Sequence, residues 1–307
     1  MVSALSRLLL IGIGTLLVLA LALFGLRQLG LQRQFEAFNH PLIANKDFWV
    51  VAQGGVSGKY PFFTEPAFRA VLALDRKIVF ELPLHRSADG TWFVYPSYKL
   101  ADHTNGVGFP EATTWAQLEQ LNAGYQYENK SKKLDFPFRK PEKKLRLLSL
   151  EQMTKLFPKT RFVLNFYDPQ AIWVKEVATL INDLKISQRV VICSPFSKFI
   201  RELSKLEPLW VYGLDPASLD RAVILEGLYI ETLASLPTDV ITSPLVKDGV
   251  SILTKRIVKE IRRQKKRLIL IVDDDTSTIP QWIIPEIGGV MTDRPGWAVK
   301  EFRSSAP

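Results

Sequence analysis

The chain has 307 residues, of which 47% are hydrophobic and 23% are charged, a composition that excludes a disordered chain and suits one large domain or two ordinary ones. The formal net charge of +9 favours anionic partners such as lipid head groups, nucleic acid or phosphorylated small molecules, although it also serves simple solubility. The single cysteine, Cys193, excludes a disulfide framework and a cysteine-based metal site, and its apolar neighbours predict a buried structural residue.

The first element is an uncharged apolar segment at 8–26. At about 1.5 Å per residue it spans the ~30 Å hydrocarbon core of a bilayer. A cleaved signal peptide is the alternative, because Ala20-Leu21-Ala22 fits a small-x-small cleavage site. The apolar run continues past that site, so we favour a retained single-pass anchor over 1–26. Arginines on both sides of the span make the positive-inside rule weak, and we expect the remaining chain outside the cytoplasm, in the periplasm if the source is a bacterium.

A polar juxtamembrane stalk follows at 27–46, with a helix expected as far as Phe38, and 47–307 form the folded domain. Eight short apolar runs predict strands at 48–53, 78–84, 161–167, 189–194, 209–214, 239–243, 267–273 and 289–293. Helix-like segments lie between them at 65–75, 171–184, 196–206 and 254–266. This alternation predicts an α/β fold, a (β/α)8 TIM barrel, with an open doubly wound sheet as the alternative.

The alternation is interrupted after the second predicted strand. Asp89-Gly90 indicates a hairpin turn into the short run at 91–95, and a polar, aromatic insertion occupies about 96–148. Its residues 126–146 contain eight Lys or Arg against three acids. Because the loops that follow the strands of such a barrel surround its ligand site, the basic insertion is expected to cap one mouth of the barrel.

Several short motifs occur together in a characteristic order. They are PFFT at 61–64, FELP at 80–83, LNAG at 121–124, and a tail from DVITSP at 239–244 to MTDRP at 291–295. On these motifs the chain, from about Val50 to its C-terminus, resembles the glycerophosphodiester phosphodiesterase family. The resemblance implies a TIM barrel in which two histidines act as general acid and base on a phosphodiester. It also implies carboxylates that hold a divalent cation such as Ca²⁺ or Mg²⁺.

Most residues that would carry this chemistry are replaced. By the resemblance, the two histidine positions fall at Gln53 and Tyr95, so no catalytic residue is assigned. The three metal-carboxylate positions fall at Glu81, Pro83 and Tyr167, of which only Glu81 is kept. The turn and core motifs persist, which is the pattern of a pseudoenzyme: a phosphoric diester hydrolase barrel of lipid metabolism retained for its shape after its chemistry lapsed.

Two functions remain open at this point. In the first, the protein is a non-hydrolysing relative that binds a phospholipid-derived ligand or a partner at the membrane. In the second, it hydrolyses glycerophosphodiesters at a rearranged metal site, with His85, Asp168 and Asp273 as candidates beside Glu81. A divalent cation is expected only in the second case. The non-functional alternatives are a solvated turn for His85 and a solvated loop or helix cap for Asp273.

Aromatic residues occupy the former site, namely Phe62, Phe63, Tyr95 and Tyr167. They predict a pocket for an apolar or sugar-like ligand, unless the rings simply fill the vacated space. The basic segments 126–146 and 255–267 predict contact with anionic lipid, at ~1 kcal/mol for each basic residue near the surface. The alternative for 255–267 is a solvated face of an outer barrel helix. Nucleic acid is not expected as a partner, since no binding motif supports it.

Overall fold

The computed structural model describes residues 4–45, 47–55, 59–128, 135–167, 173–272 and 279–303. The α-helices are α1 (Ala4–Leu31), α2 (Pro41–Ala44), α3 (Glu65–Leu74), α4 (Trp115–Leu118), α5 (Leu150–Leu156), α6 (Val174–Asp183), α7 (Ser197–Leu206), α8 (Pro216–Gly227), α9 (Lys255–Arg263) and α10 (Pro295–Arg303). The strands are β1 (Trp49–Gln53), β2 (Val79–Arg86), β3 (Trp92–Val94), β4 (Phe162–Phe166), β5 (Val190–Cys193), β6 (Val211–Tyr212), β7 (Val240–Ser243), β8 (Val246–Lys247), β9 (Val250–Ser251), β10 (Arg267–Ile271) and β11 (Gly289–Thr292).

Eight strands form a parallel barrel in the hydrogen-bonded order β6-β5-β4-β2-β1-β11-β10-β7. The first and last strands of this order meet where the Leu214 amide donates to the carbonyl of Val240 at 2.8 Å. β3 pairs antiparallel with β2 after the turn at Asp89-Gly90, as the sequence indicates. The predicted TIM barrel is thus confirmed, and the open doubly wound sheet is excluded.

Strand alternation separates two apolar layers. The lower barrel interior is filled by the side chains of Trp49, Val51, Val79, Val163, Val191, Val211, Val240, Ile269 and Met291. Residues of opposite parity on the same strands pack outward against the helices, among them Phe80, Leu82, Leu164 and Ile192. Because side chains alternate along a strand, the inward positions one step beyond the lower layer are Gln53, Glu81, Asn165 and Cys193. Polar groups are therefore brought together at the carboxyl end of the barrel.

The four predicted barrel helices are present, and three more were missed. α5, α8 and α10 each follow a recognisable start signal. Ser149 forms a capping box with Gln152 at α5, and the Asp215 carboxylate accepts from the Ser218 amide at α8. Pro295 opens α10, where its missing N–H costs nothing. These helices complete the outer ring, and their short apolar stripes explain why periodicity alone did not reveal them.

The N-terminal helix α1 is long and apolar enough over Arg7–Leu31 to cross a membrane, with a mean hydropathy of 2.7. A signal sequence has the same properties. The helix ends at Leu31 and not at Phe38 as expected. Its last turns contact the barrel: the Arg27 guanidinium lies 3.1 Å from the buried carboxylate of Glu231, and the Thr232 hydroxyl donates to the Arg27 carbonyl at 2.9 Å. The end of α1 is therefore docked on the folded domain.

The segment after α1 closes the bottom of the barrel, the end at which the parallel strands begin. Leu42 in α2 is buried against the lower interior layer, and His40 caps α2 by accepting from the Leu42 amide. Arg267 donates to the carbonyls of Ile43, Asn45 and Asp47. The predicted stalk is thus packed against the domain over much of its length.

Candidate functional site

Glu81 on β2 is a buried acid at the carboxyl end of the barrel. It is 7% exposed. Burial raises the pKa of Glu81 to about 7, and the hydrogen bond from the Asn165 side chain opposes this only in part. A buried carboxyl without a cationic partner is destabilised in its charged form. Glu81 therefore exchanges a proton near neutrality in this structure.

A chain of polar contacts leads from Glu81 to the surface. The Asn165 amide donates to the Tyr167 hydroxyl at 3.2 Å. Burial, with the nearby charge of Glu81, raises the pKa of Tyr167 to about 12, so the phenol keeps its proton and can donate a hydrogen bond. Burial likewise raises the pKa of Cys193 to about 12, which leaves this thiol unreactive.

A cavity of about 410 Å³ opens beside these residues, above the ends of β4, β5, β6, β7 and β10. Its polar lining includes Asn165, Tyr167, Asp215, Asp220 and Lys247. Its apolar lining includes Cys193, Leu214, Leu219, Ile252 and Ile271. The volume and the mixture of apolar walls with a few polar groups suit a small organic ligand.

His85 lies at the same mouth and is buried, so the expectation of a solvated turn is wrong. It is 1% exposed because its ring is enclosed by aromatic side chains. It stacks on Tyr167 with ring centroids 5.7 Å apart, and Tyr98 meets its plane edge-on at 5.6 Å. Its Nδ1 lies 2.5 Å from Oε1 of Glu111, a residue of the insertion.

The Glu111 carboxyl faces Nδ1 of His85 and orients its ring. Partial burial raises the pKa of Glu111, but hydrogen bonding from His85 and from the backbone outweighs it and holds this pKa below its usual value. Glu111 is thus a carboxylate at neutral pH and accepts from Nδ1–H. Nε2 is then the ring nitrogen that does not face Glu111, which is the arrangement of a histidine oriented by a carboxylate.

The four aromatic residues predicted to form the pocket lie in three places. Tyr167 lines the cavity. Tyr95 is 1% exposed, and its single hydroxyl hydrogen is shared between the carbonyls of Lys99 and Leu100, so it packs beneath the insertion. Phe62 and Phe63 follow β1, where the Phe63 amide donates to the Gly54 carbonyl at 2.6 Å. Their contact with a ligand stays a prediction.

The close approach of Phe63 to the end of β1 depends on a glycine at position 54. Gly54 has a φ of 76°, and a Cβ at this position would approach the Phe63 ring to 2.8 Å. Phe63 itself has a φ of 59° and packs edge-on against Phe68 of the core. The end of β1 is therefore closed by a ring, at the position that the family resemblance assigns to a catalytic histidine and its neighbour.

The described residues do not fit a divalent cation. Among them, no three His, Cys, Asp or Glu side chains come together as a metal site. Burial favours the neutral form of Glu81, and Pro83 offers no ligand. Asp168 and Asp273, the other candidates, lie outside the described residues. We therefore derive no chemistry through a metal ion.

Sequence reasoning missed Glu111, Tyr98 and Asn165. Asn165 was accessible in principle, because it alternates with Tyr167 along an inward-facing strand. Glu111 and Tyr98 could not be predicted, because both belong to the insertion. Nothing in the local sequence of the insertion indicates which of its residues contact His85 on β2.

Much of the charge in the basic segment 255–267 is engaged in contacts within the chain. In 255–267, carboxylates pair with Arg256, Arg262 and Arg263, and Lys266 lies 4.0 Å from Asp239. In 126–146, Arg139 stacks over the Phe136 ring at 3.6 Å, and 129–134 lie outside the described residues. The contact of both segments with anionic lipid stays a prediction, and 255–267 has less free charge available than its sequence implies.

Comparison with solved structures places the barrel among known folds. The glycerophosphoryl diester phosphodiesterase domain of an uncharacterized protein from Mycobacterium tuberculosis superposes with a TM-score of 0.68 at 18% identity, over 83% of this chain and 98% of that one. The fold is that of the glycerophosphodiester phosphodiesterases. One such enzyme from Parabacteroides distasonis gives a TM-score of 0.62 at 16% identity, over 89% and 94%.

A phosphodiesterase from Oleispira antarctica, solved with the product sn-glycerol-3-phosphate, gives a TM-score of 0.61 at 18% identity, over 82% of this chain and 95% of that one. By sequence alone, no family model matches the chain and no curated protein matches it. At these identities the likeness to the glycerophosphodiester phosphodiesterases concerns the fold, and function has to be argued from the site.

Proposed function

We propose that the protein is a membrane-anchored barrel of the glycerophosphodiester phosphodiesterase fold, located outside the cytoplasm, that binds a phospholipid-derived glycerophosphodiester without hydrolysing it efficiently. One observation carries the proposal. The mouth retains a ligand-sized cavity of about 410 Å³, whereas the inward positions around Glu81 hold glutamine, proline and tyrosine in place of proton-transfer and metal-binding groups.

The charges around the cavity support a diester over a monoester. The polar lining includes one cation, Lys247, against the two acids Asp215 and Asp220. Partial burial raises the pKa of Asp215, but hydrogen bonds from Ser197 and Ser218 outweigh it and keep this pKa below its usual value. A dianionic phosphomonoester is repelled by such a lining, whereas a monoanionic diester with a cationic head group has a matching partner for each charge. Glycerophosphocholine is the matching probe.

The position of the cavity supports a water-soluble ligand. The cavity lies at the carboxyl ends of the strands, whereas α1 docks on the turn Glu231–Leu233, which precedes the start of β7. α8 separates these two levels, and its 12 residues span about 18 Å. A ligand released from the bilayer can enter this mouth more easily than a phospholipid still held in it.

Direct binding tests the proposal. We expect the full chain in detergent micelles to bind glycerophosphocholine in calorimetry, and to bind sn-glycerol-3-phosphate at least tenfold more weakly. The same binding should persist in EDTA, because no described residue requires a metal. Equal affinity for the two ligands, or binding to neither, would contradict the assigned ligand class.

The variant Tyr167→Ala should weaken this binding about tenfold, since loss of one buried aromatic contact and one hydrogen-bond donor removes about 1–2 kcal/mol. The matched control is Tyr229→Ala, a change at an exposed ring at the other end of α8. The barrel should stay folded in both variants, as checked by thermal unfolding. Equal losses in the two variants would place the ligand away from the cavity.

A second function, phosphodiester hydrolysis at a rearranged site, is favoured by the His85–Glu111 pair. In that reaction Nε2 of His85 removes a proton from water as the water oxygen attacks phosphorus. The bond from phosphorus to the leaving alkoxide breaks, and the alkoxide takes up a proton to leave as an alcohol. A positioned base of this kind contributes about 10²–10⁴ in rate.

Hydrolysis of glycerophosphocholine and lysophospholipid by the full chain, with Ca²⁺, Mg²⁺ or Mn²⁺ and with EDTA, decides between the two functions. If turnover occurs, we expect His85→Gln to lower kcat at least 100-fold with little change in KM, and Glu111→Gln to lower it less. His103→Gln is the matched control. Turnover that survives His85→Gln would exclude His85 as the base, and its complete absence in folded protein would leave the binding function.

A further inference from the structure

A compact apolar surface lies beside the docked end of α1. We call it the α8 patch, formed by Ile224, Leu228 and Tyr229, whose side chains are 65%, 49% and 63% exposed. Ile224 and Leu228 are four residues apart and share a face of α8. We propose that the α8 patch is a second membrane contact, inserted at the lipid head-group level and held there by α1.

The docking of α1 fixes the height of this patch. Arg27 binds the end of the α8 patch and the turn that follows it. Its side chain donates to the Tyr229 carbonyl at 3.4 Å and pairs with Glu231 at 3.1 Å. Arg27 is also the first charged residue after the apolar span, and therefore marks the level at which hydrocarbon ends. Tyr229 lies at that same level because its carbonyl accepts a hydrogen bond from the Arg27 side chain.

The backbone of α1 packs directly against the segment that contains Thr232. A Cβ on Gly30 would approach the backbone carbon of Thr232 to 2.7 Å, so glycine is what permits the approach. Arg33, one turn later, donates to the Leu233 carbonyl at 3.2 Å, and Arg263 donates back to the Arg33 carbonyl at 3.0 Å. Contacts on both sides of Gly30 hold the two elements in one arrangement.

The chemistry of the patch fits a bilayer interface. Tyrosine is enriched where the hydrocarbon meets the head groups. The Tyr229 ring stays 63% exposed although the Arg256 guanidinium, which pairs with Glu226, lies 4.1 Å from its centroid, so the ring still offers aromatic surface to an interface. Because exposed leucines continue along α1 as far as Leu31, apolar surface extends from the span to the turn on which it docks.

The inference rests on the proposed membrane anchoring, and the test separates the two. Three single cysteines, each in a Cys193→Ser background, would carry a fluorophore at Leu16→Cys, Leu228→Cys or Val107→Cys. The full chain would be reconstituted in phosphatidylcholine–phosphatidylglycerol vesicles that contain spin-labelled lipid quenchers of shallow or deep position. Val107, in the insertion, is 89% exposed and serves as the control at the mouth.

We expect the deep quencher to act on position 16 and the shallow quencher to act on position 228 at least threefold more strongly than on 107. Quenching at 16 without quenching at 228 would overturn the patch contact while the anchoring stands, and would leave the patch to a protein partner. No quenching at 16 would overturn both. Stronger quenching at 107 than at 228 would mean that the mouth faces the membrane, and would also overturn the inference.

A matched pair of glycine variants tests whether docking positions the patch. Gly30→Ala should lower quenching at 228 at least twofold and leave quenching at 16 unchanged, because the added methyl group separates α1 from Thr232. Gly25→Ala adds the same group to the same helix, where nothing lies within 4 Å, and should change neither signal. Equal effects of the two substitutions would overturn the role of docking.

Discussion

Replacing the buried acid of the mouth, Glu81→Gln, should stabilise the protein at pH 8 and leave its stability at pH 4.5 unchanged. The pKa of Glu81 is raised from 4.5 to about 7. Between these two values the folded state keeps the proton while the unfolded state loses it, so stability falls as the pH rises through this interval and is constant above it. At 1.36 kcal/mol per unit, the variant should gain about 3 kcal/mol in unfolding free energy at pH 8.

Urea unfolding of the full chain in detergent micelles, followed by tryptophan fluorescence, measures this difference at each pH. The matched control is Glu151→Gln, a change of the same chemistry at an exposed helix position, for which no comparable gain is expected. A wild-type protein as stable at pH 8 as the variant would mean that the pKa of Glu81 is not raised in the native state. A cation bound at the mouth would produce that outcome, and in that case added Ca²⁺ in place of EDTA should raise wild-type stability alone.

The barrel could be predicted because its strands are short apolar runs that alternate with helical segments along the chain. Runs such as RVVICS at 189–194 are apolar on both faces, which is what a strand between a filled interior and an outer helix requires. Strand ends were predicted less well: the run at 209–214 contributes only Val211–Tyr212 as β6. The strand is short because Gly213 pairs with Val240 only through an isolated bridge, and Leu209, at the start of the run, is exposed.

The mouth could be predicted only in part, because its contacts join distant segments. Glu81 and Tyr167 follow from strand alternation and the family resemblance. The partner of His85 is Glu111, which is 26 residues away beyond a hairpin and two short turns. Periodicity carries no information across such an insertion, so the burial of His85 was missed together with its partner.

The role of the basic segment 255–267 also could not be predicted from the sequence. Its eight Lys or Arg residues suggest a solvated or lipid-binding face. In the structure Arg263 and Arg267 instead bind backbone carbonyls of the N-terminal segment. Charge counting cannot separate these uses, because a guanidinium has five donors that serve a carbonyl as readily as a phosphate.

Arg267→Met should therefore destabilise the protein by about 3–4 kcal/mol. The guanidinium donates to the carbonyls of Asp47 at 2.9 Å, Gly288 at 3.1 Å and Ile43 at 3.3 Å, and also to that of Asn45. Hydrogen bonds from a charged group contribute roughly 1.5–3 kcal/mol each when measured singly, and they are not additive. Methionine preserves the apolar contact but leaves these carbonyls without their donor.

The matched control is Lys259→Met, which removes the same charge from an exposed position of α9 and should change the unfolding free energy by less than about 0.5 kcal/mol. Hydrogen exchange would locate the effect, with faster exchange at 41–45 in Arg267→Met but not at the strands of the mouth. Equal destabilisation by the two variants would mean that net charge, and not the bottom closure, is what matters. If closure matters, glycerophosphocholine binding at the opposite end should persist in Arg267→Met wherever the barrel remains folded, since the cavity and the closed bottom share no side chain.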